Sequence, residues 1–421
     1  MAASPFIRRG RRTPSALHSV SAIQTDPSRM TSGERRASVS LAFIFALRML
    51  GLFLVLPVFA LEARRDPGGD DAALVGLAMG VYGLTQALLQ IPLGMASDRI
   101  GRKPVILAGL ALFALGSGVA VWAPSVHWLI AGRAIQGAGA ISAAVTAFIA
   151  DSTRDSVRTK AMALVGVSIA LMFALSLVLA PLLAAQIGLR GLFALTTALA
   201  LTGMAVVAWV VPTEPALQRD AGRGGLRAVL AHPGLLRLDF GVFALHAVQL
   251  ALWMAVPAVL VQAGLAAGQH WQVYLPAVLL AFLVMGGALF RLERKGYLRA
   301  VFLFSIALIL VVQLGLLALG GSASVWGVAL LLCLFFTGFN MLEASQPSLV
   351  SRLAPAQRGA ALGVYNTLQS LGFFAGGAVG GWLSKTQGPD AIFAACAALT
   401  LLWLLLAWPM QVPAVSGLVR H

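Results

Sequence analysis

Long apolar segments recur along the whole chain, and they constrain its fold more than any other feature. A helix that crosses about 30 Å of hydrocarbon needs roughly 20 apolar residues. Because these segments are continuously apolar rather than alternating, they predict helices and not the strands of a membrane barrel. The sequence therefore predicts an all-α membrane protein with twelve transmembrane spans, at about 38–61, 73–93, 104–123, 127–150, 161–186, 190–211, 238–263, 271–290, 299–320, 325–349, 360–383 and 390–410.

The composition excludes several other classes of protein. Hydrophobic residues make up 59% of the 421 residues and charged residues 11%, which is too few charges for a water-soluble globule. The net charge of +15 comes from short basic clusters between apolar runs, unlike the single basic face of a nucleic-acid binder. Two cysteines exclude a disulfide scaffold, and six scattered histidines predict no metal site. No phosphate-binding Walker pattern is present, so we expect no cofactor and no direct use of ATP.

Positive charges are divided unevenly between the two sides that the spans define. With residue 1 placed in the cytoplasm, 24 of the 30 Lys and Arg residues fall on that side, four fall on the other side, and two lie inside spans. Cytoplasmic loops of membrane proteins carry an excess of Lys and Arg. This bias predicts that both termini are cytoplasmic.

A long basic loop divides the spans into two groups of six. The sequence predicts an N-terminal bundle at 37–211, a cytoplasmic linker at 212–237 and a C-terminal bundle at 238–410, with tails at 1–36 and 411–421. The first 29 residues are rich in Arg and Pro. They are either a disordered basic tail or, if translation starts at Met30, absent from the protein. A transit peptide is a further alternative.

Short strings repeat between the two bundles. Gly80-Val-Tyr-Gly-Leu-Thr-Gln86 in span 2 matches Gly363-Val-Tyr-Asn-Thr-Leu-Gln369 in span 11. Such repeats favour two bundles that rock around a central site, although chance similarity would also produce a single match. Span 11 also has small residues spaced to let helix backbones approach closely, at Gly372, Gly376 and Gly380.

The loop between spans 2 and 3 has the most informative local pattern, Gly94-Met-Ala-Ser-Asp98-Arg99-Ile-Gly101-Arg102-Lys103-Pro104. A tight turn needs Gly101, and Pro104 suits the start of a helix. Asp98 is placed to cap a helix or to pair with a cation, and Arg102 can make two-pronged contacts with carboxylates. A simple positively charged cytoplasmic turn would explain the charges but not their spacing.

This loop resembles the signature G-x-L-x-D-R-x-G-R-K/R of the major facilitator superfamily, with Ala96 in place of Leu. The resemblance implies two six-helix bundles that transport a small molecule and need no cofactor. It also implies a latch in which Asp98, facing span 11, holds the outward-open state. The residues implied for this latch are Gly94, Asp98, Arg99, Gly101, Arg102, Lys103 and, at the end of span 4, Asp151.

Further strings are similar to one bacterial inner-membrane member of the superfamily, among them Leu47-Arg-Met-Leu-Gly51 and Arg158-Thr-Lys-Ala-Met162. This similarity implies a place in the bacterial inner membrane. That member continues into a soluble C-terminal domain, whereas we expect only about ten residues after span 12 here. Nothing attributed to that domain is carried over to this chain.

Ionisable side chains inside spans cost about 2.5–3.5 kcal/mol each on insertion scales, so each needs a partner or a function. Arg48 in span 1 is either a substrate or proton-site cation in the central cavity or part of a structural ion pair. Glu343 in span 10 either carries a proton or neutralises Arg48, and His246 in span 7 either titrates or packs. Arg133 and Gln136 resemble the family's span-4 motif R-x-x-Q-G, whose arginine is linked to proton transfer; a helix-pairing role is the alternative.

Pro181 in span 5 occupies a place like that in the G-x-x-x-G-P motif of drug antiporters, but Ala180 replaces the glycine before it. Our leading hypothesis is a monomeric, proton-coupled transporter in the lipid bilayer that exports a small molecule. The alternatives are a proton symporter or uniporter that imports a metabolite, and a membrane receptor or scaffold that transports nothing. No nucleic-acid partner is expected.

Overall fold

The computed structural model describes residues 29–214, 225–295, 297–354 and 357–410. Regular structure within these ranges is helical, and three short 3₁₀ turns accompany the α helices. The tails up to residue 28 and from residue 411, and the middle of the linker, lie outside the described residues. The α helices are α1 (Ser32–Phe53), α2 (Leu56–Glu62), α3 (Ala72–Ile100), α4 (Arg102–Val121), α5 (Val126–Ala138), α6 (Ser142–Asp151), α7 (Asp155–Trp209), α8 (Gly225–Ala231), α9 (Pro233–Gln262), α10 (Trp271–Arg294), α11 (Leu298–Leu319), α12 (Val325–Leu353), α13 (Arg358–Gln387) and α14 (Asp390–Ala407).

These helices make twelve passes of membrane length. Within the described ranges, ten segments are both long and apolar enough to cross a membrane, and α1 with α2 forms one of them, as does α5 with α6. The 55-residue α7 is also counted once, but a straight helix of that length would extend about 80 Å. It turns back at Gly188, where φ is +63°, and so supplies two passes. The predicted all-α membrane fold is confirmed.

The twelfth pass is α13, which has the length of its neighbours but a less apolar composition. Glycine, serine and glutamine residues replace bulky side chains along it. The helix packs between α3 and α9 instead of facing lipid over its whole surface. Its position explains why it is less apolar than the other spans, and the span predicted at 360–383 lies within it.

Several spans begin earlier than the sequence pattern predicts, and for two of them capping explains the difference. Thr31 and Glu34 form a reciprocal capping box, so α1 starts at Ser32 and not near residue 38. His232 accepts a hydrogen bond from the backbone N–H of Leu235 at 3.3 Å, and Pro233 occupies the first turn of α9. The helix therefore begins inside the predicted linker.

The two halves, α1–α7 and α9–α14, meet where α3 packs on α13. A Cβ atom added at Gly76 would lie 2.3 Å from the carbonyl oxygen of Gly377, and one at Gly83 would lie 2.4 Å from that of Ser370. Only glycine permits backbones to approach so closely. Of the glycines predicted for packing, Gly372 and Gly376 instead contact α9 within the C-terminal half. A Cβ atom added at these two glycines would lie 2.4 Å and 2.2 Å, respectively, from carbonyl oxygens of α9.

We define the signature face as the end of the bundle with residues 94–104, and the far face as the end with Asp71 and Lys385. The hydrophobic core that both halves share includes the far-face ends of the N-terminal helices. Toward the signature face, the N-terminal half has a separate core of its own. On α13, Gly359 and Gly363 have no neighbouring atom within 4 Å of an added Cβ. The halves are thus joined at the far face and apart at the signature face.

Substituting Gly377 by Val is expected to open the far face. The added side chain would overlap the backbone of α3, and overpacking of this kind costs about 1–3 kcal/mol. Spin labels at the exposed residues Pro67 and Gln387 should then report a longer distance across the halves. Gly363→Val, on the same helix but in open space, is the control and should leave the distance unchanged. Equal distances in both variants would contradict the role given to this contact.

Candidate functional site

The signature loop is a tight turn between α3 and α4. Gly101 joins the two helices with a φ of +103°, a conformation that residues with a side chain rarely adopt. The turn places Asp98, in the last turn of α3, four residues before Arg102, which begins α4. The predicted need for glycine at this position thus has a direct structural reason.

Arg102 is the centre of an ion-pair cluster at the signature face. Its guanidinium donates to Asp98, to the hydroxyl of Ser97 at 2.7 Å and to Asp151 at 3.0 Å. The Arg102 side chain is only 10% exposed, whereas Asp98 is 61% exposed and makes no described contact with α13. The structure therefore brings the three predicted charged residues together within the N-terminal half, tying α3 and α4 to α6.

A carboxylate from the start of the linker also binds this loop. Oε2 of Glu214 accepts a hydrogen bond from the backbone N–H of Arg102 at 2.5 Å, at the N-terminus of α4, where unpaired N–H groups and the helix dipole favour an anion. Nearby, Nζ of Lys103 donates to the carbonyl oxygen of Val211 at 2.7 Å. The segment that leads out of the N-terminal half is thus fastened to the signature loop.

Two other residues implied for the latch lie at the edge of the cluster. Gly94 allows α3 to approach α6, since an added Cβ would lie 3.3 Å from the side chain of Ala143. Arg99 is exposed and is hydrogen bonded to none of the described residues.

Arg48 is buried in the N-terminal half with neutral partners. Its side chain is 1% exposed, and its NH2 group donates to the Tyr82 hydroxyl at 2.8 Å, to Oε1 of Gln86 at 3.0 Å and to the carbonyl oxygen of Gly139 at 3.3 Å. The last acceptor is free because the helix breaks between α5 and α6 at that point. Nε2 of Gln86 donates across the interface to Ser370 of α13 at 2.9 Å.

Arg133 lies on the other side of Tyr82. Its guanidinium carbon is 4.8 Å from the centre of the Tyr82 ring, a cation–π arrangement. The NH1 group donates to Oε1 of Gln136 at 2.8 Å, and Gln136 in turn donates to the hydroxyl of Ser117 at 2.6 Å. Arg133 is also 1% exposed, so the structure places two buried cations around one tyrosine.

In the C-terminal half, His246 and Glu343 are neighbours. Nε2 of His246 lies 3.3 Å from Oε1 of Glu343 and 2.7 Å from the side-chain amide of Gln369. Nδ1 lies 2.9 Å from the carbonyl oxygen of Val242, which can only accept, so Nδ1 carries a hydrogen and Nε2 of the neutral ring has the free lone pair. The His246 side chain is 2% exposed, whereas Glu343 is 33% exposed. The two groups can share one proton between them.

Comparison with known proteins identifies the family of this chain. A family profile described as Major Facilitator Superfamily matches residues 41–377 and, in a second overlapping match, residues 291–419. The chain belongs to the major facilitator superfamily. It is therefore a membrane transporter and not an enzyme, and the resemblance predicted from the signature loop is confirmed.

Relatives within the superfamily cover nearly the whole chain. The inner membrane transport protein YajR of Escherichia coli is 44% identical over 397 residues, which are 93% of this chain and 87% of that protein. The multidrug resistance protein MdtH of Edwardsiella ictaluri is 26% identical over 386 residues, which are 88% of this chain and 94% of that protein. A crystal structure of the nucleoside transporter NupG superposes with a TM-score of 0.72 at 14% identity, covering 89% of this chain and 99% of that one.

The two repeated strings each end in a glutamine that contacts a buried ionisable side chain. Gln86 contacts the buried cation Arg48, and its counterpart Gln369 contacts the buried imidazole of His246. The sequence repeat by itself predicts no role for either glutamine, because the spans that face them are apolar on every side. Glu343 lies against His246, so the alternative in which it neutralises Arg48 is wrong for this arrangement.

An ion pair joins the halves at the far face, and it was not predicted. Nζ of Lys385 in α13 donates to Oδ2 of Asp71 at 2.7 Å, while Oδ1 of Asp71 caps α3 through the backbone N–H of Ala73 at 2.9 Å. The hydrogen bond from Lys385 holds the pKa of the Asp71 carboxyl below its ordinary value, and the capping N–H groups add to this effect.

This ion pair is expected to be insensitive to pH in the neutral range. Because the pairing lowers the pKa of Asp71, the contact is complete above the ordinary Asp pKa of about 3.9 and is lost only as the pH falls through the lowered value. The distance between labels at Pro67 and Gln387 should therefore stay constant from about pH 5 to 8 and lengthen only in stronger acid.

Lys385→Gln should lengthen that distance already at neutral pH. Arg190→Gln is the control, because Arg190 pairs with Asp66 at the same face without crossing between the halves. Opening of the unsubstituted far face near pH 6 would contradict this prediction.

Proposed function

We propose that this transporter exports a small solute in exchange for protons by alternating access. The observation that carries the proposal is the pair of His246 and Glu343 within the membrane-spanning helices, with Nε2 and Oε1 3.3 Å apart. Ionisable groups inside a membrane are costly, and they commonly mark proton pathways. A pair that can hold one additional proton provides the means of coupling.

The pair would bind and release its proton in a defined way. With both groups neutral, the proton lies on the Glu343 carboxyl and hydrogen bonds to Nε2 of His246; transfer to Nε2 gives an ion pair. Release of that proton leaves the Glu343 carboxylate beside a neutral ring, whose Nε2 accepts from the amide of Gln369. Oε1 of Glu343 is itself buried, but a third of the side chain is exposed, and we propose that the proton leaves through this exposed part.

The state of the two halves supports alternating access. The far face is closed by the α3–α13 contact, whereas the signature face is open. If the signature face is cytoplasmic, as the charge bias predicts, this state faces inward. In the opposite state, we propose that Asp98 meets the N-terminus of α13, where a carboxylate is favoured by the helix dipole. Arg102 and Asp151 would hold Asp98 in position for that contact.

The relatives support efflux from the bacterial inner membrane. MdtH is named a multidrug resistance protein, and YajR an inner membrane transport protein. We therefore propose the same membrane for this chain, with both termini in the cytoplasm and one copy as the transporting unit.

Inverted vesicles from cells that produce the chain test the exchange. With an inward-acid pH gradient, the addition of an exported solute should release protons, seen as dequenching of acridine orange. The solutes are tetracycline and a panel of small organic acids, amides and amines. Proton release that appears with one of them, and is absent from vesicles without the chain, supports exchange. Solute uptake that requires no gradient, or no coupled proton movement with any solute, would contradict it.

Proton symport is the second candidate, and one observation favours it. The span-5 motif of drug antiporters in this superfamily has a glycine immediately before its proline, whereas this chain has Ala180 before Pro181. Ala180 is fully buried. In the same vesicles, a symporter would move protons and solute in the same direction, which reverses the sign of the dye signal.

A further inference from the structure

The two buried arginines of the N-terminal half have no counter-ion among the residues that the structure describes. In the described part of the chain, no carboxylate lies within 4 Å of Arg48 or Arg133. Two arginines at the signature face differ, since Arg102 pairs with Asp98 and Arg154 with Glu34. The membrane interior of this half thus holds two positive charges whose compensation must come from elsewhere.

Two nitrogen atoms of the Arg48 guanidinium donate no hydrogen bond to any described residue. Its NH2 group makes all three of its hydrogen bonds, while Nε and NH1 are buried without a hydrogen-bond partner. The guanidinium carbon also lies 5.5 Å from the centre of the Phe113 ring, which is uncharged and offers no acceptor oxygen. Unused donors on a buried charge are costly and rare in folded proteins. A side chain that is 1% exposed and has open donors is therefore prepared for a ligand with acceptor atoms.

The position of Gln86 indicates where such a ligand would bind. Its amide oxygen occupies one donor of Arg48, and its amide nitrogen bonds Ser370 of the other half. An amide oxygen has the acceptor geometry of a carboxylate oxygen but no charge. Gln369, the residue before Ser370, reaches His246 in the C-terminal half. A ligand that displaced Gln86 from Arg48 would lie between the halves, as alternating access requires.

Charge decides the class of this ligand. An amine would be repelled by Arg48 and Arg133, and a neutral solute would leave their charge uncompensated. We propose that the solute is a small organic anion whose carboxylate binds Arg48 in place of the Gln86 amide. The proposal rests on the transport function proposed above and names its substrate class. Arg48 provides the charge-assisted hydrogen bonds, and Gln86 is a neutral substitute when the site holds no solute.

Thermal unfolding of the purified full chain in phosphatidylcholine nanodiscs tests the proposal, because a ligand that binds only the folded state raises its midpoint. The probes are benzoate, benzamide and benzylamine, with hexanoate, hexanamide and hexylamine as a second set, at equal concentration and ionic strength. We expect only the two carboxylates to raise the midpoint. Arg48→Gln should weaken their apparent affinity by about tenfold or more, and Arg48→Lys by less. Arg227→Gln, on the exposed surface of α8, is the control.

Each result bears directly on the proposal. Stabilisation by an amine or amide equal to that by the matching acid would overturn it, as would a benzoate effect that survives Arg48→Gln, or no effect of any probe. Stabilisation of the unsubstituted chain by phosphatidylglycerol in the discs, lost in Arg48→Gln, would also overturn it, because the cation would then serve a lipid. If Arg48→Gln does not fold, the comparison of the six probes on the unsubstituted chain decides. Proton release in inverted vesicles is a separate readout, so failure here leaves the exchange proposal standing.

Discussion

Asp98→Asn is expected to abolish transport while membrane insertion and folding remain normal. Asp98 is the exposed member of the Arg102 cluster, and its substitution leaves Arg102 its bond to Asp151. The folded N-terminal half therefore keeps its central ion pair. What is lost is the charge that we propose for the contact with α13 in the opposite state. Hydrogen bonds to charged groups contribute about 1.5–3 kcal/mol, enough to shift the balance of two states by tenfold or more.

Solute flux and the distance between labels at Pro67 and Gln387 should be measured together for this variant. We expect flux near the background and a far face that stays closed. Asp390→Asn, which removes an exposed carboxylate from the first turn of α14 at the far face, is the matched control and should transport normally. Normal transport by Asp98→Asn would refute the latch.

Glu343→Gln is expected to uncouple solute movement from protons. The amide keeps the size of the carboxyl group and can still hydrogen bond to Nε2 of His246, but it cannot bind or release a proton. Downhill exchange of solute should persist, whereas accumulation driven by a pH gradient should fall to the level of vesicles without the chain. His246→Gln should weaken accumulation less, because Glu343 remains able to carry the proton.

Glu62→Gln provides the matched control for that measurement. Glu62 is another acid within a span, but it is buried, lies toward the far face and pairs with Arg65 at 2.8 Å. Its substitution should leave accumulation unchanged. If Glu343→Gln accumulates solute like the unsubstituted protein, the proton is carried elsewhere and the coupling assignment fails.

The short-range geometry of the signature loop could be predicted from the sequence alone. Asp98 and Arg102 are four residues apart across a glycine turn, so their contact follows from local structure, and Asp151 followed from the family resemblance. Glu214 could not be found in this way. It lies 112 residues from Arg102 and is brought to it only by the return of α7 through the membrane.

The interior of the bundle was predictable only in part. The cost of a charge in a membrane identified Arg48, Arg133, His246 and Glu343 as residues that need partners. Which partners they have depends on how each helix is rotated, and periodicity gives little information when every face of a span is apolar. The pairing of His246 with Glu343, and of Arg48 with Tyr82 and Gln86, therefore needed the structure.

The contact of α3 with α13 has a consequence for the speed of the cycle. Where Gly76 meets Gly377 the helices touch through bare backbone, without the interlocking side chains that would resist sliding. Besides the apolar contacts of the shared core, the polar bonds that cross between the halves, such as those made by Gln86 and Lys385, must break when the halves separate. Such bonds exchange readily with water, so turnover should respond to hydration of the seam.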